Sequence, residues 1–536
     1  MKRIISLMMF CLCVSLVSAQ VDFTTQNIST VGSTRAVVDM NNDDLDDVVS
    51  VSSSNVNVNY QQEDGTFIVA NIPTTAADNT ASWSMAAADY DSNGFTDLLY
   101  GGGSGVTFMR ANNSGTGFTE ISGPEYVFSQ RSNFVDINND GHLDAFVCHD
   151  VAPNVYYIND GSGNLSYIQG GLGDYPSGGN YGSVWIDYDN DGDMDMFLAK
   201  CGGEEARRTN QMLTNNGDGT FTENALELGL ADPMQTWSSA WADFDNDGDM
   251  DVFVGASTGS HKMMMNNGDL TFTDVTATSG VGTVSQTGIE NVTYDMDNDG
   301  NLDIVSNGNI LYGNGDLTFS PVDFNAIPSG CFGDLNNDGF VDVSGGSTLY
   351  MNNGNANNWM TITTRGIGPD LGGSNLNGIG ARIEVVTASG LKIRDVRIGE
   401  GFGNSSTLNT HIGLGTDDEI STITINWPSG IVDVIYDPAI NEKVIYVEGE
   451  NPALGVGDNN VNNLIVYPNP TTERLNLSVT EGFDTAIYMI YDVNGKRVLN
   501  GKLESESIDV SNLSTGSYIL RFINDGNVRI QKFIKN

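Results

Sequence analysis

The chain has 536 residues and a formal charge of −46, with 69 Asp+Glu against 23 Lys+Arg. That length exceeds one ordinary domain, and that acidity excludes nucleic acid and anionic membrane surfaces, which are held through Lys and Arg. The charge is uneven: residues 20–357 carry 48 acidic and 7 basic side chains, residues 358–536 carry 21 and 14.

Residues 1–19 read as a cleaved signal peptide. Lys2-Arg3 is the basic start, Ile4 to Leu16 the apolar run and Val17-Ser18-Ala19 the small-residue cleavage site. No later apolar run reaches the ~18 residues that a membrane helix needs. Beyond this segment the cysteines are Cys148, Cys201 and Cys331. They are too widely spaced for a disulfide framework or a zinc site and read as small apolar residues inside strands.

From residue 39 a nine-residue pattern, Asp-x-Asp/Asn-x-Asp/Asn-Gly-x-x-Asp, recurs seven times, at starts separated by 50, 47, 51, 56, 52 and 39 residues. Positions 1, 3, 5 and 9 are Asp39, Asn41, Asp43 and Asp47; Asp89, Asp91, Asn93 and Asp97; Asp136, Asn138, Asp140 and Asp144; Asp187, Asp189, Asp191 and Asp195; Asp243, Asp245, Asp247 and Asp251; Asp295, Asp297, Asp299 and Asp303; Asp334, Asn336, Asp338 and Asp342. Alternating oxygen donors around a glycine turn form a cage for a hard cation, and oxygen-only ligation points to Ca²⁺, up to seven per chain. An EF-hand is excluded, because position 12 is never a carboxylate and the flanks are strand-like. Plain acidic turns use the same residues, but turn chemistry does not demand an Asp at position 9.

Each repeat predicts four short strands, as in Gly182–Asp187, Asp195–Ala199, Lys262–Asn266 and Thr271–Thr276, with Asn-Gly-Asp turns before the last. Seven such units predict an all-β, seven-bladed β-propeller with calcium-binding hairpin loops. The segment Val21–Ile28 resembles a fourth strand, and the seventh repeat stops after its third, Ser347–Asn352. The first strand is therefore expected to complete the last blade and close the ring.

The loops and their strand context resemble the FG-GAP/VCBS repeats of integrin-α-like propellers over about residues 20–356. The resemblance implies cation ligands at positions 1, 3, 5 and 9. Two departures stand out: Asp44 replaces the glycine of the first loop, which predicts a distorted cage, and Asn93 lowers the charge of the second. Residues 357–449, with Asn358-Trp-Met-Thr-Ile-Thr, Gly378-Ile-Gly-Ala-Arg and Asn426-Trp-Pro-Ser-Gly, are similar to the ASPIC/UnbV domain. Residues 450–463 read as a linker. Residues 464–536, with Tyr467-Pro-Asn-Pro and an Asn494-Gly495 hairpin turn, resemble the type IX secretion C-terminal sorting domain, a small β-sandwich. That resemblance implies the type IX machinery as a partner, and release or surface attachment after passage through the periplasm.

The sequence offers no catalytic constellation. His142 falls inside the third loop, and His149 and His261 follow blade strands; each reads as a structural histidine. Trp83, Tyr181 and Trp237 each lie six residues before a loop Asp. They read as inter-blade packing or as a stacking platform for sugar rings. Arg207-Arg208, in the long insertion of repeat 4, is a candidate ligand loop or a local salt bridge with Glu204-Glu205. The expected activity is adhesion or binding of an extracellular glycan or surface protein. The alternatives are a polysaccharide lyase or hydrolase on a propeller scaffold, or a purely structural surface scaffold.

Overall fold

The computed structural model describes residues 21–285, 289–452, 465–478, 487–491, 497–503, 507–524 and 527–536. The signal-peptide reading, the Asn494-Gly495 turn and all but the first three residues of the linker reading lie outside the described residues.

Seven four-stranded antiparallel sheets form a ring. In blade 5 the strands are Gln235–Ala242, Asp251–Thr258, Lys262–Asn266 and Phe272–Asp274. The first strand of each blade faces the axis, and blades converge there, so it must be narrow: Ser84–Ala88 is Ser-Met-Ala-Ala-Ala and wholly buried. The outermost strands alternate between covered and exposed positions, as in Phe118–Ser122, because only one face packs on a neighbour. Each pair of adjacent blades shares an apolar core, including the last with the first, where Val37 and Val48 meet Cys331, Leu335 and Leu349. Phe23–Asn27 pairs with Thr348–Asn352, from Phe23 opposite Asn352 to Asn27 opposite Thr348. The first strand thus supplies the fourth strand of blade 7, as the sequence predicts, and the ring has no open edge. The three described cysteines are free and buried.

The fourth strands of blades 4 and 5 are shorter than expected. Strand Phe272–Asp274 stops where Asp274 accepts the N–H of Thr276 (3.0 Å) and one helical turn, Thr276–Ser279, begins. Gly280 ends that turn at φ +85°, a left-handed cap that glycine adopts without strain.

Residues 358–447 form a second unit of two sheets. One holds Asn358–Arg365 between Thr410–Gly415 and Lys443–Val447; the other has Arg382–Thr387 and Ile420–Asn426 at its centre. The chain stays attached to this unit past residue 449: Asn451 N–H donates to Asp433 (2.8 Å) and Pro452 bridges to Asp433. The tail builds two further sheets, of three and four strands. Its Met489 and Tyr491 share the apolar core of the second unit.

Candidate metal loops and the channel plug

Each loop joins the innermost strand of a blade to the next strand. The backbone repeats its shape: position 4 (Asn42, Ser92, Asn139, Asn190, Asn246, Asn298, Asn337) is left-handed in all seven, with φ between 54° and 63°. Asn tolerates that region better than other residues. Position 6 is also left-handed, at 83° to 99° for the six glycines and 68° for Asp44. The position 1 carboxylate accepts the N–H groups of positions 5 and 6 in every loop, at 2.6–3.3 Å.

Position 9 is a staple as well as a candidate ligand. One oxygen accepts the N–H of position 2 (2.8–3.2 Å) in all seven loops. The other accepts an N–H from the third strand of the same blade (2.7–2.8 Å). The motif marks position 9 only as a candidate ligand; its tie to the third strand is visible only in three dimensions.

Four loops gather three carboxylates whose ligand atoms all lie within 4.8 Å of one another: Asp89, Asp91 and Asp97; Asp187, Asp189 and Asp195; Asp243, Asp245 and Asp251; Asp295, Asp297 and Asp299. Among the described residues loops 1, 3 and 7 form no such group. There position 3 is a neutral amide, and Asn41, Asn138 and Asn336 donate to Asp43, Asp140 and Asp338 at 2.9, 3.0 and 2.9 Å. In loops 4 and 5 the Oδ1 atoms of Asp189 and Asp245 are buried without a hydrogen-bond partner. An oxygen donor left bare inside a cluster of acids fits a cation, so these clusters can hold metal ions. Loop 1 keeps its shape despite Asp44, which pairs with Arg365 (2.6 Å). Asn93 of loop 2 is spent on backbone groups, donating to Ala111 O and accepting from Phe95 N–H (2.9 Å each).

Burial pushes these carboxyls up. Asp39 and Asp243 rise to about 6, Asp89, Asp136, Asp187 and Asp334 to about 7, Asp144 to about 8, and Asp47, Asp97, Asp195 and Asp251 to about 9, with desolvation the largest cause in each. The metal-free folded chain therefore keeps protons that the unfolded chain releases near pH ~4. The stability these protonated carboxyls contribute is fully present below that pH and is lost as the pH rises through ~6 to 9. Calorimetry of protein stripped of calcium, in calcium-free buffer, should give a lower melting temperature at pH 8 than at pH 5; a flat or rising profile contradicts this.

All seven loops lie on the face that the second unit covers. Asp44 meets Arg365. Asp89 N–H donates to Asn377 (2.8 Å). A Cβ on Gly141 would stand 2.8 Å from Pro369, one on Gly248 3.6 Å from Leu391, and Trp359 lies directly over Gly339. Arg382 donates to Asn190 and to the Asp187 carbonyl, 3.6 Å from the Asp187 carboxylate. Lys392 donates to Gly300 O (3.1 Å). Clefts of about 230 and 200 Å³ remain beside loops 1–2 and loops 3–4, lined in part by Asp39 and Asp89 and by Asp136 and Asp140.

From this unit, residues 397–407 run down the central channel and touch every blade. Val37 N–H donates to Ser405 O (3.0 Å) and Met85 N–H to Gly403 O (3.1 Å). Asn133 donates to Ile398 O (3.0 Å). Glu290 accepts the N–H groups of Phe402 (2.7 Å) and Gly403 (2.9 Å), and Thr407 N–H donates to Phe332 O (2.9 Å). Phe402 stops at the far mouth among Trp83 (6.5 Å), Tyr181 (6.4 Å) and Trp237 (5.5 Å). These three aromatics thus gather around a plug rather than only between blades, and they stay half-exposed. Phe402→Ala should cost about 3 kcal/mol and red-shift the tryptophan emission; an unchanged spectrum would mean the plug does not order these rings.

The other candidates are used structurally. Arg207 pairs with Asp150 (2.8 Å) and donates to Cys201 O (2.6 Å), while Glu204 takes the Tyr175 hydroxyl. Arg208 donates to Pro233 O (2.7 Å). The local bridge to Glu204-Glu205 is therefore replaced by long-range ties, because the one-turn helix Glu205–Arg208 turns both guanidinium groups back onto the blade. His261 accepts from Ala256 N–H (2.9 Å) and its Nε2 meets Ser285 O (3.2 Å). His149 accepts from Val151 N–H (3.3 Å) and lies edge-on to Tyr126.

The FG-GAP-like repeat profile matches residues 39–100, 89–147, 136–198, 187–254 and 243–306, together half of the chain. The profile "ASPIC and UnbV" matches residues 371–453, and "Secretion system C-terminal sorting domain" matches 465–536. Cartilage acidic protein 1 of Homo sapiens is 29% identical over 263 residues, covering 41% of this chain and 37% of that protein. The Mus musculus protein is 28% identical over 263 residues, covering 41% and 38%. The chain thus spans well under half the length of these curated relatives. Among solved structures, a lectin of Agrocybe aegerita described for recognition of non-reducing terminal N-acetylglucosamine aligns with a TM-score of 0.39 and 20% identity, over 56% of this chain and 80% of its own.

Proposed function

The chain belongs to the FG-GAP-like repeat family and carries a type IX sorting tail, and from that premise we propose that its loops hold Ca²⁺, up to seven, and that the propeller is an adhesion or binding module. Export through the type IX machinery takes it to the cell surface or the extracellular space. Extracellular calcium modules bind at ~10⁻⁴–10⁻³ M, so the loops fill there. The ligands are positions 1, 3, 5 and 9 of each loop, with amide oxygens replacing carboxylates at Asn41, Asn93, Asn138 and Asn336.

The observation that carries this reading is the bare Oδ1 of Asp189 and of Asp245, each inside a group of three converging carboxylates. Calcium would neutralise those groups, stiffen the innermost hairpin of each blade and brace the face on which the second unit sits. The partner is an extracellular glycan or surface protein, and the half-exposed rings at the far mouth offer a stacking surface for a sugar. The test is size-exclusion chromatography of the mature protein with a panel of polysaccharides, in Ca²⁺ and in EDTA, with protein and glycan detected separately. Co-elution without shortening, lost in EDTA, is the expected result. Shortened glycan would instead make the protein a polysaccharide-degrading enzyme, and unchanged profiles would remove the glycan reading.

A further inference from the structure

A cavity of about 80 Å³ lies between blades 5 and 6 and the second unit, lined by Trp241, Thr293, Arg394, Arg397, Glu400 and His411 among others. One water needs ~10–15 Å³ of such space, so there is room for a larger guest. Arg394 is 9% exposed, yet its Nε and Nη2 have no hydrogen-bond partner among the described residues; its Nη1 is turned to the adjacent Ile393 O (2.8 Å). Arg397 Nη1 also lacks an acceptor, with Asp395 only at 4.0 Å. His411 is 7% exposed, its Nδ1 lies 3.3 Å from the Thr361 hydroxyl, and its Nε2 is unpartnered. With that hydroxyl donating to Nδ1, the ring proton sits on Nε2 and is a further donor.

The acids nearby are committed elsewhere. Asp395 is held by Arg382 at 2.7 and 3.1 Å. Glu400 is held by Arg397 Nε (2.9 Å) and reaches Thr293 N–H (3.5 Å). Asp243 and Asp295, the acids that act on Arg394 through space, accept loop N–H groups at 2.8–3.1 Å. A buried guanidinium with two idle donors is costly unless something pairs with it. Nε–H and Nη2–H are the parallel edge that grips two oxygens of one planar or tetrahedral anion.

We propose that this cavity binds a small oxyanion, gripped by Arg394 Nε and Nη2 and closed over by Arg397 Nη1 and His411 Nε2, which pins the second unit to blades 5 and 6. The site adjoins loops 5 and 6, whose Met250 and Leu302 line it and whose Asp243 and Asp295 act on Arg394 through space, so the test is run with those loops filled.

The test uses the full mature chain in saturating Ca²⁺ with chloride as the starting anion. Acetate and sulfate are titrated at constant ionic strength, with calorimetric binding and thermal melting as readouts. One saturable site with a rising melting temperature is expected. Preference for acetate identifies a carboxylate guest, and preference for sulfate a phosphate-like one. Arg394→Gln should weaken binding about tenfold or more, the loss of a charge-assisted pair. Should that variant not fold, selenate soaked into wild-type crystals reads occupancy directly, with an anomalous peak expected beside Arg394. Water alone in the cavity, an equal response in Arg394→Gln, or no saturable binding of either anion overturns the proposal.

Discussion

Chelation with EGTA lowers the melting temperature of the mature protein by about 10 °C. At free Ca²⁺ about 100-fold above Kd, one site adds ~2.7 kcal/mol, and with ~2.1 cal/mol/K of unfolding entropy per residue each kcal/mol moves the midpoint of a chain of this size by ~1 °C. The four loops with three converging carboxylates are enough for a shift of that size. The loss should reach beyond the loops, because all seven support the second unit and its channel segment. Tryptophan emission should therefore redden together with the melt, as Trp83 and Trp237 lose Phe402. A melt that EGTA leaves in place contradicts the role of calcium.

Asp251→Ala destabilises the protein by about 3–5 kcal/mol in Ca²⁺. The carboxylate is 1% exposed and accepts the N–H groups of Phe244 (3.1 Å) and Asn266 (2.8 Å). Removing it leaves two buried donors unpaired, each worth ~1–3 kcal/mol, before any cation is lost. Asp251→Asn retains an acceptor and should cost less. Asp43, at the exposed position 5 of loop 1, is the control in EGTA: there Asp43→Ala should stay within ~1 kcal/mol. In Ca²⁺, Asp187→Ala and Asp243→Ala should cost more than Asp39→Ala, since loops 4 and 5 hold the bare oxygens. Urea unfolding of each variant, with and without EGTA, measures these differences. Equal costs for Asp251→Ala and Asp43→Ala would mean that position 9 is not a staple.

The blades were legible because their chemistry is local. Nine consecutive residues set each loop, period-2 patterning sets the strands, and the unpaired segment Val21–Ile28 announces ring closure. Other features depend on distant partners and left only faint marks. The left-handed Asn at position 4 occupies an unassigned slot of the motif, yet six of seven repeats place Asn there, which is a usable signal. Asn139 and Asn190 reach on to Asp193 (2.9 Å) and Asp249 (2.7 Å), at position 7 of the next loop. Phe402 stands in Gly399-Glu-Gly-Phe-Gly-Asn404, a run with neither strand nor turn grammar. Only the channel explains it, and a Cβ on Gly399 would collide with Asn133. Arg365, Arg382 and Lys392 read as ordinary strand residues until the acidic loops are set opposite them. Arg207 misled by composition: a basic pair in an acidic domain suggests a ligand site, but Asp150, 57 residues away, uses it.

The most direct measurement is the number of cations the mature chain binds. Equilibrium dialysis against ~10 mM Ca²⁺, at least tenfold above the expected Kd, with bound metal counted by elemental analysis, should give at least four and up to seven ions per chain, and one fewer in Asp187→Ala or Asp243→Ala. A folded chain that retains no calcium at millimolar free Ca²⁺ would contradict the account.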